Sequence, residues 1–111
     1  MEVIGLMSGT SADGVDAVLV DIRGSGHDLK IRLRAHRTFP YPPAFRVRLL
    51  EAMTSGTVAD VCHLNVVLGE WFAKAALRLL KTARVPAGRV ALIGSHGQTL
   101  HHLPRPRRDH A

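Results

Sequence analysis

Two short apolar segments, Val3-Ile4-Gly5-Leu6-Met7 and Val15 to Ile22, flank the turn of the octet Gly9-Thr10-Ser11-Ala12-Asp13-Gly14-Val15-Asp16. Each flank has the length of a strand and is rich in Val, Ile and Leu. The spacing therefore predicts a β-hairpin with a connection built from small and polar residues. Gly9 and Gly14 allow φ > 0 or close approach of the backbone to a ligand. Ser8, Thr10 and Ser11 add hydroxyls beside backbone N–H groups, and a concave set of such donors suits an anion. A Gly/Ser/Asp turn also joins strands without binding anything, so the octet by itself leaves a purely structural turn open.

Asp13 and Asp16 sharpen the reading. A carboxylate beside phosphate is repulsive unless a cation lies between them, and Mg²⁺ takes one or two carboxylates, several waters and phosphate oxygens. A nucleotide with Mg²⁺ is the ligand this pattern suggests. It is not a P-loop: there is no Gly-x-x-x-x-Gly-Lys-Ser/Thr, and a strand follows the turn where a P-loop opens a helix.

Beyond the hairpin, Gly24-Ser25-Gly26 marks a turn. Leu29 to His36 then alternates apolar and basic residues, which predicts a third antiparallel strand, half exposed, with Lys30, Arg32 and Arg34 on its wet face. Pro40, Pro42 and Pro43 end it. Pro43 suits the first turn of a helix reaching about Met53, with Phe45, Leu49 and Ala52 on one side. Thr57-x-x-Asp60 has the form of a capping box, and Val61, Leu64, Leu68, Phe72, Ala75 and Leu79 follow as the apolar stripe of a long helix on the sheet. Arg78, Lys81 and Arg84 complement the end of that helix, and Pro86 prevents its continuation. Val90-Ala91-Leu92-Ile93-Gly94 is continuously apolar, as in a central strand covered on both faces. His96-Gly97-Gln98-Thr99 falls at its carboxyl end, where open α/β sheets make ligand contacts.

With Met7 to Asp16 and Gly94-Ser95-His96-Gly97-Gln98-Thr99 both in place, the sequence closely resembles the amino-terminal part of the anhydro-N-acetylmuramic acid kinases, which belong to the sugar kinase, Hsp70 and actin superfamily. The resemblance runs from Met1 to about Pro104. It implies an α/β fold, the start of a ribonuclease H-like (actin-like ATPase) domain, incomplete: an antiparallel three-strand start, two helices, then a central strand. Residues 1–104 would form the amino-terminal part of the first kinase lobe, and 105–111 a divergent basic tail. By the same resemblance the activity is ATP-dependent conversion of 1,6-anhydro-N-acetylmuramic acid and water to N-acetylmuramic acid 6-phosphate and ADP, in peptidoglycan recycling. Gly9, Thr10, Ser11, Ala12, Asp13, Gly14, Val15 and Asp16 would hold ATP, and Asp13 would meet Mg²⁺ through water. His96, Gly97, Gln98 and Thr99 would line the sugar cleft; Gln98 and Thr99 can donate to and accept from sugar hydroxyls or an N-acetyl group. The family's catalytic aspartate is expected downstream, so no catalytic residue is assigned within the chain.

Composition bounds the alternatives. A chain of 111 residues is one domain or part of one. Its single cysteine, Cys62, excludes an internal disulfide and fits a reducing compartment. Neither a secretory signal nor a transmembrane run is visible, so a cytoplasmic protein without a membrane partner is expected. The formal charge of +6 is carried by scattered arginines with few aromatics to stack bases, which argues against a nucleic-acid partner. His96 with His101 and His102 makes a poor metal set, lacking Cys, Asp or Glu at matching spacing. A homodimer of the complete protein is compatible with the resemblance. Two readings of the chain stand: an amino-terminal kinase segment inactive alone, and a stand-alone, non-catalytic phosphate- or sugar-binding module.

Overall fold

The computed structural model describes residues 1–105. Strands β1 (Glu2–Ser8) and β2 (Gly14–Arg23) form the expected antiparallel hairpin, in register from Glu2 opposite Asp21 to Met7 opposite Asp16. Strand β3 (Lys30–Pro40) pairs antiparallel with β2. Helices α1 (Pro43–Ser55) and α2 (Val58–Ala83) follow, and β4 (Val90–Gln98) returns parallel to β1. The four strands lie in the order β3-β2-β1-β4. This is an α/β fold, the opening of an actin-like ATPase domain.

Alternate residues of a strand face opposite sides of a sheet. The helix side of the hairpin carries Ile4, Leu6, Val15, Ala17 and Leu19, all buried. Against them pack Phe45 and Leu49 of α1 and Leu64, Leu68, Phe72, Ala75, Ala76, Leu79 and Leu80 of α2, in one continuous core. Val61, expected in the same stripe, is exposed at the start of α2. The capping box forms: Asp60 N–H donates to Thr57 Oγ1 at 3.1 Å, and Thr57 N–H donates to Asp60 Oδ2 at 2.8 Å. Thr57 Oγ1 also donates to Asp60 Oδ2 at 2.9 Å, and the backbone and side-chain hydrogen bonds from Thr57 hold the Asp60 carboxyl below its usual pKa. At the other end Arg84 takes the left-handed conformation, φ 57°, and Pro86 follows two residues later.

Strand β3 corrects the sequence reading. It runs on to Pro40, and its register slips once: Ala35 stands opposite Leu19, but Leu33 rather than Arg34 stands opposite Val20. One extra residue in a strand moves all that lies beyond it to the other face. Ala35 and Phe39 therefore pack against the helix-side core, whereas Ile31 and Leu33 emerge on the opposite face, each 63 % exposed. A single alternation cannot describe a strand with a bulge in it.

Strand β4 extends past Gly94 through Gln98, so His96, Gly97 and Gln98 belong to the strand and not to a loop beyond it. A register shift between the Leu6–Ser95 and Met7–Gly97 pairs leaves His96 without a partner on β1. Among the described residues β4 is an edge strand, with Leu92 49 % and Ile93 54 % exposed. Its apolar run suits burial on both faces, but the described residues cover neither fully.

Candidate functional site

The loop between β1 and β2 is held at alternate carbonyls. Gly9 O accepts from Gln98 Nε2 of β4 at 2.7 Å and from Ala12 N–H at 3.1 Å. Ser11 O accepts from Arg46 of α1 at 2.9 Å, and Asp13 O accepts from Tyr41 N–H at 3.0 Å. Three separate parts of the fold thus grip five residues. Ala12, fully buried, takes the left-handed conformation at φ 51°, one a non-glycine residue adopts only when its surroundings over-determine it.

The two glycines differ from each other. Neither Gly9 nor Gly14 has positive φ. Around Gly9 nothing lies within 4 Å of where a Cβ would stand, so its surface is open. Gly14 is tight, but against the protein: a Cβ there would meet Phe39 O at 2.3 Å and Pro40 Cα at 2.7 Å. The close approach that Gly14 permits is between β2 and β3.

Thr10, Ser11 and Asp13 are exposed on the loop, whereas the side chains of Ala12 and Val15 are buried, leaving only their backbone available to a ligand. Asp16 is not in the turn. It is on β2, opposite Met7, and its Oδ1 accepts a hydrogen bond from Thr38 Oγ1 with His36 Nε2 4.0 Å away. Asp13 Oδ1 lies 3.3 Å from Arg46 Nε without the angle of a hydrogen bond. Its other oxygen has no protein partner among the described residues. No group of three or more His, Cys, Asp or Glu side chains converges among the described residues, so any metal held here would rest on Asp13 with water and ligand oxygens.

The second motif meets the first directly. Besides Gly9 O, Gln98 Nε2 donates to Thr99 O at 3.0 Å, and Gln98 Oε1 accepts from Tyr41 Oη at 3.2 Å. Thr99 N–H donates to Ser8 O at 3.1 Å. Both amide donors of Gln98 are therefore taken by the protein, which the expectation of a sugar contact did not foresee. Ser8 Oγ is buried beside the Tyr41 phenol but has no partner at full hydrogen-bond geometry, and burial raises the Tyr41 pKa above its ordinary value. A cleft of about 340 Å³ opens between α2 and the end of β4, lined among others by Asn65, Leu68, Phe72, Ser95, Gly97 and Gln98. His96 is exposed and outside that lining.

Sequence reasoning missed Tyr41 and Arg46. Tyr41 is buried in an edge-to-face cluster, its ring centroid 5.2 Å from Phe45 and 6.2 Å from Trp71. Its place between Pro40 and Pro42 was the available signal, since a chain fixed on both sides by proline presents its one aromatic in a set direction. Arg46 carried no signal; its role arises from where α1 meets the loop.

An antiparallel three-strand start, two helices and a fourth strand parallel to the first define the class by fold: an incomplete α/β domain of the actin-like ATPase type. The profile of the family described as anhydro-N-acetylmuramic acid kinase matches residues 1–111, and the chain belongs to that family. It is 48 % identical over 104 residues to the anhydro-N-acetylmuramic acid kinase of Caldanaerobacter subterraneus subsp. tengcongensis, covering 92 % of this chain and 26 % of the relative. The kinase of Salinibacter ruber is 48 % identical over 106 residues, 94 % of this chain and 27 % of the relative. That of Synechocystis sp. is 47 % identical over 107 residues, 94 % and 26 %. The chain spans about a quarter of the length of these relatives. No helix among the described residues is long and apolar enough to cross a membrane.

Proposed function

We propose that the chain supplies the phosphate-holding hairpin of a cytoplasmic kinase that converts 1,6-anhydro-N-acetylmuramic acid, water and ATP to N-acetylmuramic acid 6-phosphate and ADP during peptidoglycan recycling. The family match along the whole chain carries this reading. The loop supports it: the Thr10 and Ser11 amides donate to no backbone carbonyl among the described residues, and the surface over Gly9 is open.

In this reading Gly9, Thr10 and Ser11 cradle the phosphates through N–H and hydroxyl donors. Asp13 holds Mg²⁺ through water with its unpaired oxygen, while Arg46 keeps the carboxylate in place. Mg²⁺, when bound, neutralises charge on the transferred phosphoryl group. The 340 Å³ cleft beside Gly97 and Gln98 is the proposed sugar side. In this reading Asp13 is committed to the metal, and Asp16 stands on β2 bonded to Thr38 and away from the loop, so the base is assigned to a residue outside this chain. We assign no nucleic-acid partner and regard a homodimer of the complete kinase as compatible.

The test is a chimera in which residues 1–104 replace the matching stretch of the Caldanaerobacter relative. Phosphorylated muramic acid formed from Mg-ATP and the anhydro sugar would support the reading. A chimera that folds like its parent yet transfers no phosphate would overturn it. Residues 1–111 alone should form no product; product above a no-protein control would move catalysis into residues assigned here to binding.

A further inference from the structure

Gln98 sits in the motif on the sugar side, yet its side chain turns toward the phosphate loop. Its Nε2 holds Gly9 O at 2.7 Å, and its Oε1 is fixed in turn by Tyr41 Oη at 3.2 Å. The peptide bond is planar and trans, so the carbonyl of Gly9 and the N–H of Thr10 point in opposite directions. Holding Gly9 O inward therefore aims Thr10 N–H outward, over the open surface above Gly9. Glycine lacks the Cβ that would restrain this peptide plane, and nothing lies within 4 Å of where one would stand. Among the described residues, the carbonyl is restrained besides Gln98 only by the 3.1 Å turn bond from Ala12 N–H.

We propose that Gln98 is a positioning residue for the nucleotide: it locks the Gly9–Thr10 peptide so that Thr10 N–H faces a phosphate oxygen. It thereby ties the strand bordering the sugar cleft to the hairpin. Tyr41 orients the Gln98 amide, so that Nε2 and not Oε1 meets the Gly9 carbonyl. The inference rests on the reading of the loop as a phosphate site, and its functional signature is the opposite of a sugar contact.

Gln98→Met keeps the length and bulk of the side chain and removes the donors. In the chimera it should raise the KM for ATP about 3- to 10-fold, the scale of one lost hydrogen bond, and leave the KM for the anhydro sugar within about 2-fold. Tyr41→Phe, which preserves both Gln98 donors, should fall between wild type and Gln98→Met. A rise confined to the sugar KM would make Gln98 a substrate contact and overturn the proposal. So would a fall in kcat with both KM values unchanged, the mark of a merely structural role. Should the unsubstituted chimera fold but make no product, the functional reading fails by itself. The positioning claim is then decided in the 111-residue chain by backbone amide exchange. Ala12, whose N–H is bonded to the Gly9 carbonyl, should exchange at least about 3-fold faster in Gln98→Met, with the β1–β2 ladder unchanged, and equal rates would refute it.

Discussion

Replacing Gly14 by alanine would separate the two reasons a glycine can stand in this motif. A Cβ at Gly14 would lie 2.3 Å from Phe39 O, 2.7 Å from Pro40 Cα and 2.8 Å from Phe39 C, all backbone atoms of β3. To bring the first contact out to even 3.0 Å, the end of β3 would have to retreat by about 0.7 Å. That retreat would pull on the Tyr41 N–H bond to Asp13 O, one residue beyond the strand. Overpacking of this kind costs about 1–3 kcal/mol, and the rigidity of the backbone neighbours points to the upper half of the range. For a chain of this size that is a fall in Tm of about 8–15 °C. Gly9→Ala is the internal control, because a methyl group there meets nothing within 4 Å and φ is not positive. Its stability should stay within about 0.5 kcal/mol of wild type. Thermal unfolding of the 111-residue chain followed by circular dichroism reads both. If Gly14→Ala melted within 2 °C of wild type, on the order of the effect expected of a neutral surface change, the close approach of β2 to β3 would not be what the glycine serves.

Asp13→Asn in the chimera should preserve the fold, since the side chain is exposed, and should increase the Mg²⁺ needed for phosphoryl transfer; the same rate at limiting Mg²⁺ would remove Asp13 from the metal site. Asp21 has its pKa lowered to about 2 by hydrogen bonds from the Met1 ammonium and from Arg23, at 2.9 and 2.8 Å. A carboxyl whose folded pKa is depressed contributes stability above its unfolded pKa and loses it as pH falls through the folded value. Chemical denaturation should therefore show stability dropping between about pH 4 and pH 2, and Asp21→Asn should flatten that part of the profile. Leu79→Ala, at a fully buried site of α2, should cost about 2–5 kcal/mol, whereas Val61→Ala on the exposed first turns should cost less than about 0.5 kcal/mol. Equal midpoints for these two variants in urea would contradict the assigned helix face.

Much of the fold is legible because local rules suffice for it. The hairpin, the capping box at Thr57 and the stripe from Leu64 to Leu79 each follow from residues near one another in sequence. The bulge at Arg34 was hidden, since nothing in an unbroken apolar-basic alternation signals one extra residue; only the pairing with β2 reveals it. The two motifs of the site could be found as strings, but not the direction of their side chains. Gln98 has the chemistry of a sugar contact, and Gly9, 89 residues away in sequence, turns out to hold its amide. Asp16 reads as part of the turn because hairpin boundaries are set by pairing, which places it on β2. Arg46 is one arginine among many until α1 docks.

Strand β1 has one neighbour close in sequence and one far away. Pairing with β2 closes a short turn, but pairing with β4 brings together residues nearly ninety positions apart, across both helices. Long loops close slowly, so the three antiparallel strands can zip up while β4 is still being delivered by the docking of α2. The Gln98–Gly9 bond then belongs to the last stage of assembly, and the β1–β2 loop acquires its final shape only when almost the whole described chain is in place. Pulse-labelled amide exchange during refolding should find the β2–β3 ladder protected before β4; simultaneous protection would mean that the sheet forms in one step. A nascent chain would accordingly carry a preformed hairpin with an unset loop, which takes its final shape only after residue 98 has left the ribosome.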